Sequence, residues 1–158
     1  MTLVAQGAEY AAAEATAVAH DNARAVPVFI SGATCVHAAN INGFFDPTQE
    51  KGLDGRLILI KRGDAGMLME HRDGNWEVKP VSNKGTDNSS AYVEGGCALA
   101  ACTSRQWRVA DGQGGWFDAP GVKMVTGAEA ERMVSGCCLR AHQLALLPPP
   151  VGASNRFL

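Results

Sequence analysis

The sequence GMLMEHRDGNWEVKPV, residues 66–81, is the clearest structural signal in the chain. Asp73-Gly74 separates two runs of strand-forming residues, and such a pair favours the tight turn of a β-hairpin because both residues tolerate a positive φ. In the second run Trp76 and Val78 alternate with charged residues, the period of two that is typical of a sheet with one buried face. We therefore predict a hairpin that points Trp76 into the core and the charged residues outward.

Further short runs of strand-forming residues lie on both sides of this hairpin. Residues 56–62, RLILIKR, place four apolar residues between basic ones, and the W-x-V pattern of Trp76 recurs at Trp107. Turn residues separate the runs, and the 158 residues include 18 glycines. About eight short strands at hairpin spacing predict a mainly β fold with flanking helices, built as a small antiparallel barrel or sandwich.

Local signals predict how individual strands end. Asn42-Gly43 favours a tight hairpin turn, and Pro47 is expected to stop the strand that follows this turn. The polar residues 82–90 predict a long exposed loop, and the apolar run at 97–103 predicts a further strand.

Both ends of the chain predict helices. Residues 8–23 are rich in alanine and lack Gly and Pro, but their apolar face is weak, so this helix could be an arm that orders against a partner. Thr126 and Glu129 form a capping box, which predicts the start of an amphipathic helix. The predicted organisation is a helical arm at 1–25, a β-rich module at 26–125, a C-terminal helix packed on the module at 126–147 and a Pro-rich extended tail at 148–158.

Charge and hydropathy exclude two classes of partner. The 14 basic and 16 acidic residues give a net charge of −2 and are spread along the chain, so no strong field attracts nucleic acid. No apolar run approaches the roughly 20 residues that cross a bilayer. Residues 1–25 carry acidic side chains and no basic residue before Arg24, unlike a leader peptide. We expect a soluble protein in the cytoplasm or the interior of an organelle.

The cysteines indicate a reducing compartment. Cys35, Cys97, Cys102, Cys137 and Cys138 form an odd set without C-x-x-C spacing, which argues against a disulfide framework and against a zinc site. The vicinal pair could form a strained disulfide or hold a soft metal, but small thiols buried on a helix are the expectation. We predict no metal and no cofactor.

The sequence carries no motif of a known catalytic class. It lacks G-x-S-x-G, a Walker-type loop and a G-x-G-x-x-G that opens a helix, and its four histidines lie on different predicted elements. Cys35 and His37 are close in sequence, so a thiol enzyme stays open as an alternative. The expectation is that the protein is not an enzyme.

Two aromatic pairs are candidates for a binding surface. Trp116-Phe117 lies beside a glycine-rich turn, and Phe44-Phe45 follows Asn42-Gly43. Such rings could stack on a sugar or anchor a peptide. The alternative is that the four rings fill the core, because aromatic residues make up only 6% of the chain.

Several short motifs follow one another between residues 28 and 125. They are Gly32-Ala33, Ala38, Ile41-Asn42-Gly43-Phe44-Phe45, Gly55-Arg56, Trp76-Glu77-Val78 and Trp107-Arg108-Val109. In this order they resemble an uncharacterised β-rich module of algal and other protist proteins, which occurs there sometimes in tandem and beside repeat or signalling domains. Here Phe45 stands where tyrosine is common, and the pattern occurs once. The resemblance implies a β-rich fold and brings no established activity.

Terminal extensions around a core without catalytic motifs predict a non-catalytic interaction or scaffolding module. Such a module could be a peripheral subunit of a larger organellar assembly, for example a photosynthetic one, or of a cytoskeletal assembly. Its partners would be other proteins that contact sheet edges and the terminal segments. The expected contact residues are Tyr10, Pro148, Pro149, Pro150 and Phe157. The alternative is a β-domain that binds a small ligand or a carbohydrate.

Overall fold

The computed structural model describes residues 3–95 and 98–133. It contains a single sheet of nine antiparallel strands that curls into a half-barrel, which confirms the predicted mainly β fold with flanking helices. The strands are β1 Val28–Ser31, β2 Gly43–Lys51, β3 Leu57–Lys61, β4 Met67–Arg72, β5 Asn75–Pro80, β6 Ala91–Glu94, β7 Trp107–Ala110, β8 Trp116–Asp118 and β9 Lys123–Thr126.

Helices lie before, between and after these strands. The described helices are α1 Leu3–Ala23, α2 Ala38–Ile41, the short 3-10 helices Val81–Asn83 and Leu99–Cys102, and α3, which begins at 127 and is described to 133. Within the described part of the chain, no helix is both long and apolar enough to cross a membrane. The start of α3 agrees with the capping-box prediction. Cys97, Cys137, Cys138 and the tail at 148–158 lie outside the described residues.

The sheet is a meander whose last strand returns to the first. Strands β1 to β8 pair in chain order, and β9 then pairs with β1 at the opposite edge from β8. Residues 119–122 alone join β8 to β9, and such a connection spans at most about 18 Å. The sheet therefore has to curl until its two outer strands lie near each other.

The inner face of the curl holds the hydrophobic core. Trp76 pairs across the strands with Val93, and Val93 pairs with Trp107. Both tryptophans are buried, with 5% and 1% of their surface exposed, so the predicted inward orientation of the W-x-V strands is confirmed. The hairpin turn is confirmed as well, because Asp73 and Gly74 have φ angles of 48° and 83°.

The outer face differs from the prediction, because its central charged residues are buried. Lys79 is fully buried, and its Nζ lies 2.8 Å from a carboxylate oxygen of Glu70 and also contacts Glu77. Residues 81–90 cover this cluster: Lys79 donates to the Thr86 carbonyl oxygen at 2.6 Å. Residues 82–88 are mostly exposed, as predicted for this loop, but the loop also covers the sheet, because its backbone supplies partners for the buried charges.

The predicted hairpin turn at Asn42-Gly43 is wrong. The link between β1 and β2 spans residues 32–42 and includes α2. The side chain of Asn42 accepts from the Ala33 amide at 3.0 Å and donates to the Ala33 carbonyl oxygen at 2.8 Å. These two hydrogen bonds join the two ends of the eleven-residue link between β1 and β2. The dipeptide Asn42-Gly43 is also typical of a tight turn, so the local sequence did not distinguish the two kinds of connection.

The predicted stop at Pro47 is also wrong, because β2 continues to Lys51. The pairing of β2 with β1 ends at Phe45, so Pro47 has a neighbouring strand only on the β3 side. Proline is tolerated at such an edge because its missing N–H is not needed for a ladder. The register of β2 and β3 shifts between Pro47 and Lys51.

The run at 97–103 does not form the predicted strand in its described part. Residues Leu99–Cys102 form a 3-10 helix, and Cys102 is buried in the core. This short helix packs Leu99 and Cys102 against the core and leaves Ala100 and Ala101 exposed. Its backbone bonds are internal, whereas a strand would need a neighbouring strand.

Candidate functional site

A cavity of about 170 Å³ lies at one end of the curled sheet. It is enclosed by the inner face of the sheet, the last turn of α1 and the 3-10 helix Leu99–Cys102. Its walls are mainly apolar and include Val28, Leu57, Leu59, Trp76 and Leu99. Ligand sites in proteins are typically concave and apolar, with a few polar groups at the margin, so this cavity is the candidate binding site.

Asn22 attaches the last turn of α1 to the sheet. Its side-chain amide donates to the Gly55 carbonyl oxygen and accepts from the Leu57 backbone amide, both at 2.9 Å. Gly55 has a φ of +83°, and a Cβ at this residue would contact Val18 of α1 at 3.5 Å. The loop before β3 therefore passes closely under the helix and positions it at the mouth of the cavity.

Arg56 forms a charged link between α1 and the β2–β3 loop. It lines the cavity with only 7% of its surface exposed, and its guanidinium lies 3.4 Å from Asp21 of α1 and 2.7 Å from Asp54. A buried guanidinium is costly without partners, so the two carboxylates neutralise it and hold α1 and the β2–β3 loop together.

His71 extends the same cluster from β4. Its Nδ1 lies 2.5 Å from Asp54 Oδ2, and its Nε2 lies 3.1 Å from the Gly95 carbonyl oxygen. The ring meets Trp76 edge to face, with 5.1 Å between centroids. Because both ring nitrogens face oxygen atoms of the protein, the ring is held in place and His71 positions the Trp76 wall of the cavity.

The cluster changes the acidity of Asp54. Partial burial raises the pKa of this carboxyl, but hydrogen bonds from His71 and Arg56 outweigh burial and lower the pKa to about 2. Asp54 is therefore a carboxylate over the physiological range, and its negative charge offsets the charge of Arg56. This arrangement favours a fixed structural cluster over proton transfer.

The mouth of the cavity carries two further basic side chains. His20 and Arg24 of the α1 end line it, and both are exposed. Arg24 forms no ion pair or hydrogen bond through its guanidinium within residues 3–95 and 98–133. Thr126 also lines the cavity. The lining thus combines apolar surface with polar groups at its margin, which suits the binding of a small molecule.

The first predicted aromatic pair is divided between two environments. Phe45 is fully buried in the core, so its ring is not available to a sugar or a peptide. Phe44 packs on Phe29 with 4.6 Å between centroids, and the guanidinium of Arg62 lies 4.7 Å above the Phe44 ring. Neither residue lines the cavity described above.

The second pair lies on the edge strand β8. Phe117 is 43% exposed, and Trp116 meets Tyr92 edge to face at 4.8 Å. Trp116 also borders a more polar cleft of about 470 Å³, whose lining includes Asn88. Sheet register places Trp116 opposite Ala110 of β7, and its ring reaches Tyr92 one strand further, on β6.

The remaining predicted residues are separate from the cavity. Tyr10 is 75% exposed on α1, while Pro148, Pro149, Pro150 and Phe157 lie outside the described residues. Cys35 is a free thiol, and no hydrogen bond joins Cys35 to His37 although both are described. Among the described side chains, no group of three His, Cys, Asp or Glu residues could hold a metal ion.

Sequence reasoning missed Asn22, Arg56 and His71 as a group. Gly55-Arg56 enters the sequence pattern as a motif without a role, and no periodic signal links it to residue 22 or 71. The available signal was the group of polar residues His20, Asp21, Asn22 and Arg24, where an alanine-rich helix ends. No protein-family model, curated protein or solved structure matches this chain.

Proposed function

We propose that this chain is a non-catalytic β-domain that binds a small ligand in the cavity under α1. The observation that carries the proposal is the cavity of about 170 Å³ with mainly apolar walls inside the curled sheet. An apolar protein cavity of about 150 Å³ accommodates a benzene ring. The site therefore suits one ring or an apolar group of similar volume.

The cavity is also held in shape before a ligand arrives. Asn22 fixes the α1 end through two hydrogen bonds, and Arg56 links Asp21 of α1 to Asp54 of the loop. Because the enclosing elements are already ordered, binding costs little further conformational entropy. This preorganisation supports binding by a molecule too small to organise the site itself.

A cavity-filling variant tests the proposal. We expect single-ring compounds to raise the melting temperature of the full chain and to perturb Trp76 fluorescence or its indole NMR signal. Leu57→Phe adds volume to the wall and should abolish these effects. Leu53→Phe is the matched control, because Leu53 is 79% exposed and lies outside the cavity lining.

Circular dichroism first has to show that both variants are folded. The proposal fails if a panel of single-ring and short-chain compounds leaves the wild-type protein unchanged. It also fails if folded Leu57→Phe binds a compound as tightly as the wild type does.

A second proposal, protein interaction through α1, has its own supporting observation. The helix is 21 residues long, about 30 Å, yet every side chain from 9 to 17 is exposed, and Tyr10 is 75% exposed. Most helices owe their stability to packing. A protein partner that covers this segment would stabilise it, as in an accessory or scaffolding subunit.

Truncation separates this second proposal from the first. Removal of residues 1–17 leaves Asn22 and the cavity intact, so ligand binding should persist while a stable complex in gel filtration or cross-linking is lost. Val36→Ala is a control for an exposed apolar residue elsewhere, because Val36 is 77% exposed. A full-length chain that is strictly monomeric and captures no partner contradicts the interaction proposal.

A further inference from the structure

Some charged side chains around the cavity mouth form ion pairs with one another, and one does not. Asp21 is the carboxylate in the lining, and it is already bound to Arg56 at 3.4 Å. Arg56 is shared with Asp54 as well. Arg24 has no such partner among the residues that the structure describes. Arg24 is therefore the cationic side chain at the mouth whose N–H donors are left available to a ligand.

The chemistry of Arg24 favours a carboxylate. A guanidinium presents parallel N–H donors in a planar fork that matches the two oxygens of a carboxylate. His20 lines the same mouth and can add a donor from its imidazole. An anionic group there would therefore meet donors on two side chains, one in the last turn of α1 and one just after it.

The helix end itself opposes an anion, but by a smaller charge. The carbonyl groups at the C-terminus of α1 carry a partial negative charge of about half an elementary charge. Arg24 carries a full positive charge, whereas the guanidinium of Arg56 is already directed to Asp21 and Asp54. An anionic group at the mouth would therefore bind through the unused N–H donors of Arg24.

We infer that the ligand is a small monocarboxylate, whose apolar body occupies the cavity and whose carboxylate binds Arg24 at the mouth. This inference rests on the proposed ligand-binding function. The volume of about 170 Å³ limits the body to about one ring, with the carboxylate outside the apolar walls. Aromatic and short aliphatic carboxylic acids form the ligand class.

Matched probes test the inference on the full chain. Phenylacetate, the neutral phenylacetamide and the cationic phenethylamine share one ring and differ in the charge at the end of a short linker. Isothermal titration calorimetry should show phenylacetate binding the wild-type protein about tenfold more tightly than phenylacetamide, with phenethylamine the weakest. Arg24→Gln should remove the preference for phenylacetate and leave the affinity for phenylacetamide unchanged.

Arg105→Gln is the matched control, because Arg105 is exposed and does not line the cavity. It should keep the wild-type preference. Equal affinities for phenylacetate and phenylacetamide, or a preference that survives in folded Arg24→Gln, would overturn the carboxylate inference while the binding function stands. Failure of all three probes and of the compound panel to bind the wild type would contradict the binding function itself.

Discussion

At the scale of single residues, the polar cluster beside the cavity contributes stability that depends on pH. The pKa of Asp54 is lowered from 3.8 to about 2 in the folded chain, because hydrogen bonds from His71 and Arg56 outweigh the opposing effect of burial. A carboxyl whose pKa falls on folding stabilises the protein above its unfolded pKa. This contribution is lost as the pH falls through the folded value.

We predict that Asp54→Asn lowers the free energy of unfolding at neutral pH by about 1–2 kcal/mol. Urea unfolding at a series of pH values should show the difference between wild type and variant shrinking as the pH falls from about 4 to about 2. Asp73→Asn is the control, since Asp73 is 77% exposed and asparagine also tolerates its positive φ. A difference that stays constant across this range would rule out the assigned pKa shift.

The buried Lys79 makes a second residue-scale prediction. Lys79→Met leaves the buried carboxylates of Glu70 and Glu77 without their cation, which should cost about 3–5 kcal/mol in urea unfolding at neutral pH. Lys84→Met, in the same covering segment, removes only a partly exposed pair with Glu50 and should cost less than about 1 kcal/mol. Similar losses in the two variants would contradict the importance of burial.

At the scale of elements, α1 combines an exposed length with one attached end. Its attachment depends on Asn22, whose bonds to Gly55 and Leu57 cross from the helix to the start of β3. The rest of the helix lacks such packing from 9 to 17. Order at the cavity mouth should therefore depend on Asn22, together with the ion pair between Asp21 and Arg56.

We predict that Asn22→Ala weakens the attachment by about 1–3 kcal/mol, because the Leu57 amide and Gly55 carbonyl lose their partner. Hydrogen exchange followed by mass spectrometry should show faster exchange in α1 with little change in the sheet. Thr16→Ala is the control, since its hydroxyl bonds only to Ala12 of the same helix. Unchanged exchange near residues 18–23 in Asn22→Ala would exclude this role.

At the scale of the whole molecule, the curl of the sheet depends on close backbone packing between its two ends. Gly32 follows β1 with a φ of +85°, and a Cβ at this residue would collide with the Gly121 carbonyl oxygen in the β8–β9 connection. Gly63 has nearly the same φ, +81°, but nothing lies within 4 Å of its hypothetical Cβ. A comparison of alanine substitutions at the two positions therefore distinguishes the cost of backbone strain from the cost of a packing collision.

Gly32→Ala should therefore destabilise the fold more than Gly63→Ala does. The strain of a positive φ costs each variant about 1–2 kcal/mol, and the collision adds a further loss only at Gly32. Thermal unfolding should show a melting temperature for Gly32→Ala below that of Gly63→Ala by several degrees, about 4 °C per kcal/mol or less at this chain length. Equal melting temperatures would show that the sheet ends do not need close packing.

The sequence by itself determined those elements that depend only on residues close to one another in the chain. The Asp73-Gly74 turn, the inward Trp76 and Trp107 and the alanine-rich helix all follow from turn chemistry, period-two alternation and helix propensity. Alternation also separates Glu77 and Lys79 from the tryptophan face correctly. It cannot show that residues 81–90 cover that second face, because burial depends on what packs above a residue.

The tertiary structure alone decided the pairing of β9 with β1 and the assembly of the cavity. Asn22, Arg56 and His71 lie far apart in sequence and meet because the meander brings β3 and β4 under the end of α1. Short-range periodicity describes one element at a time, whereas a site of this kind depends on the relative positions of several elements. The contacts that fix those positions are long-range hydrogen bonds and buried ion pairs, which no local pattern in the sequence encodes.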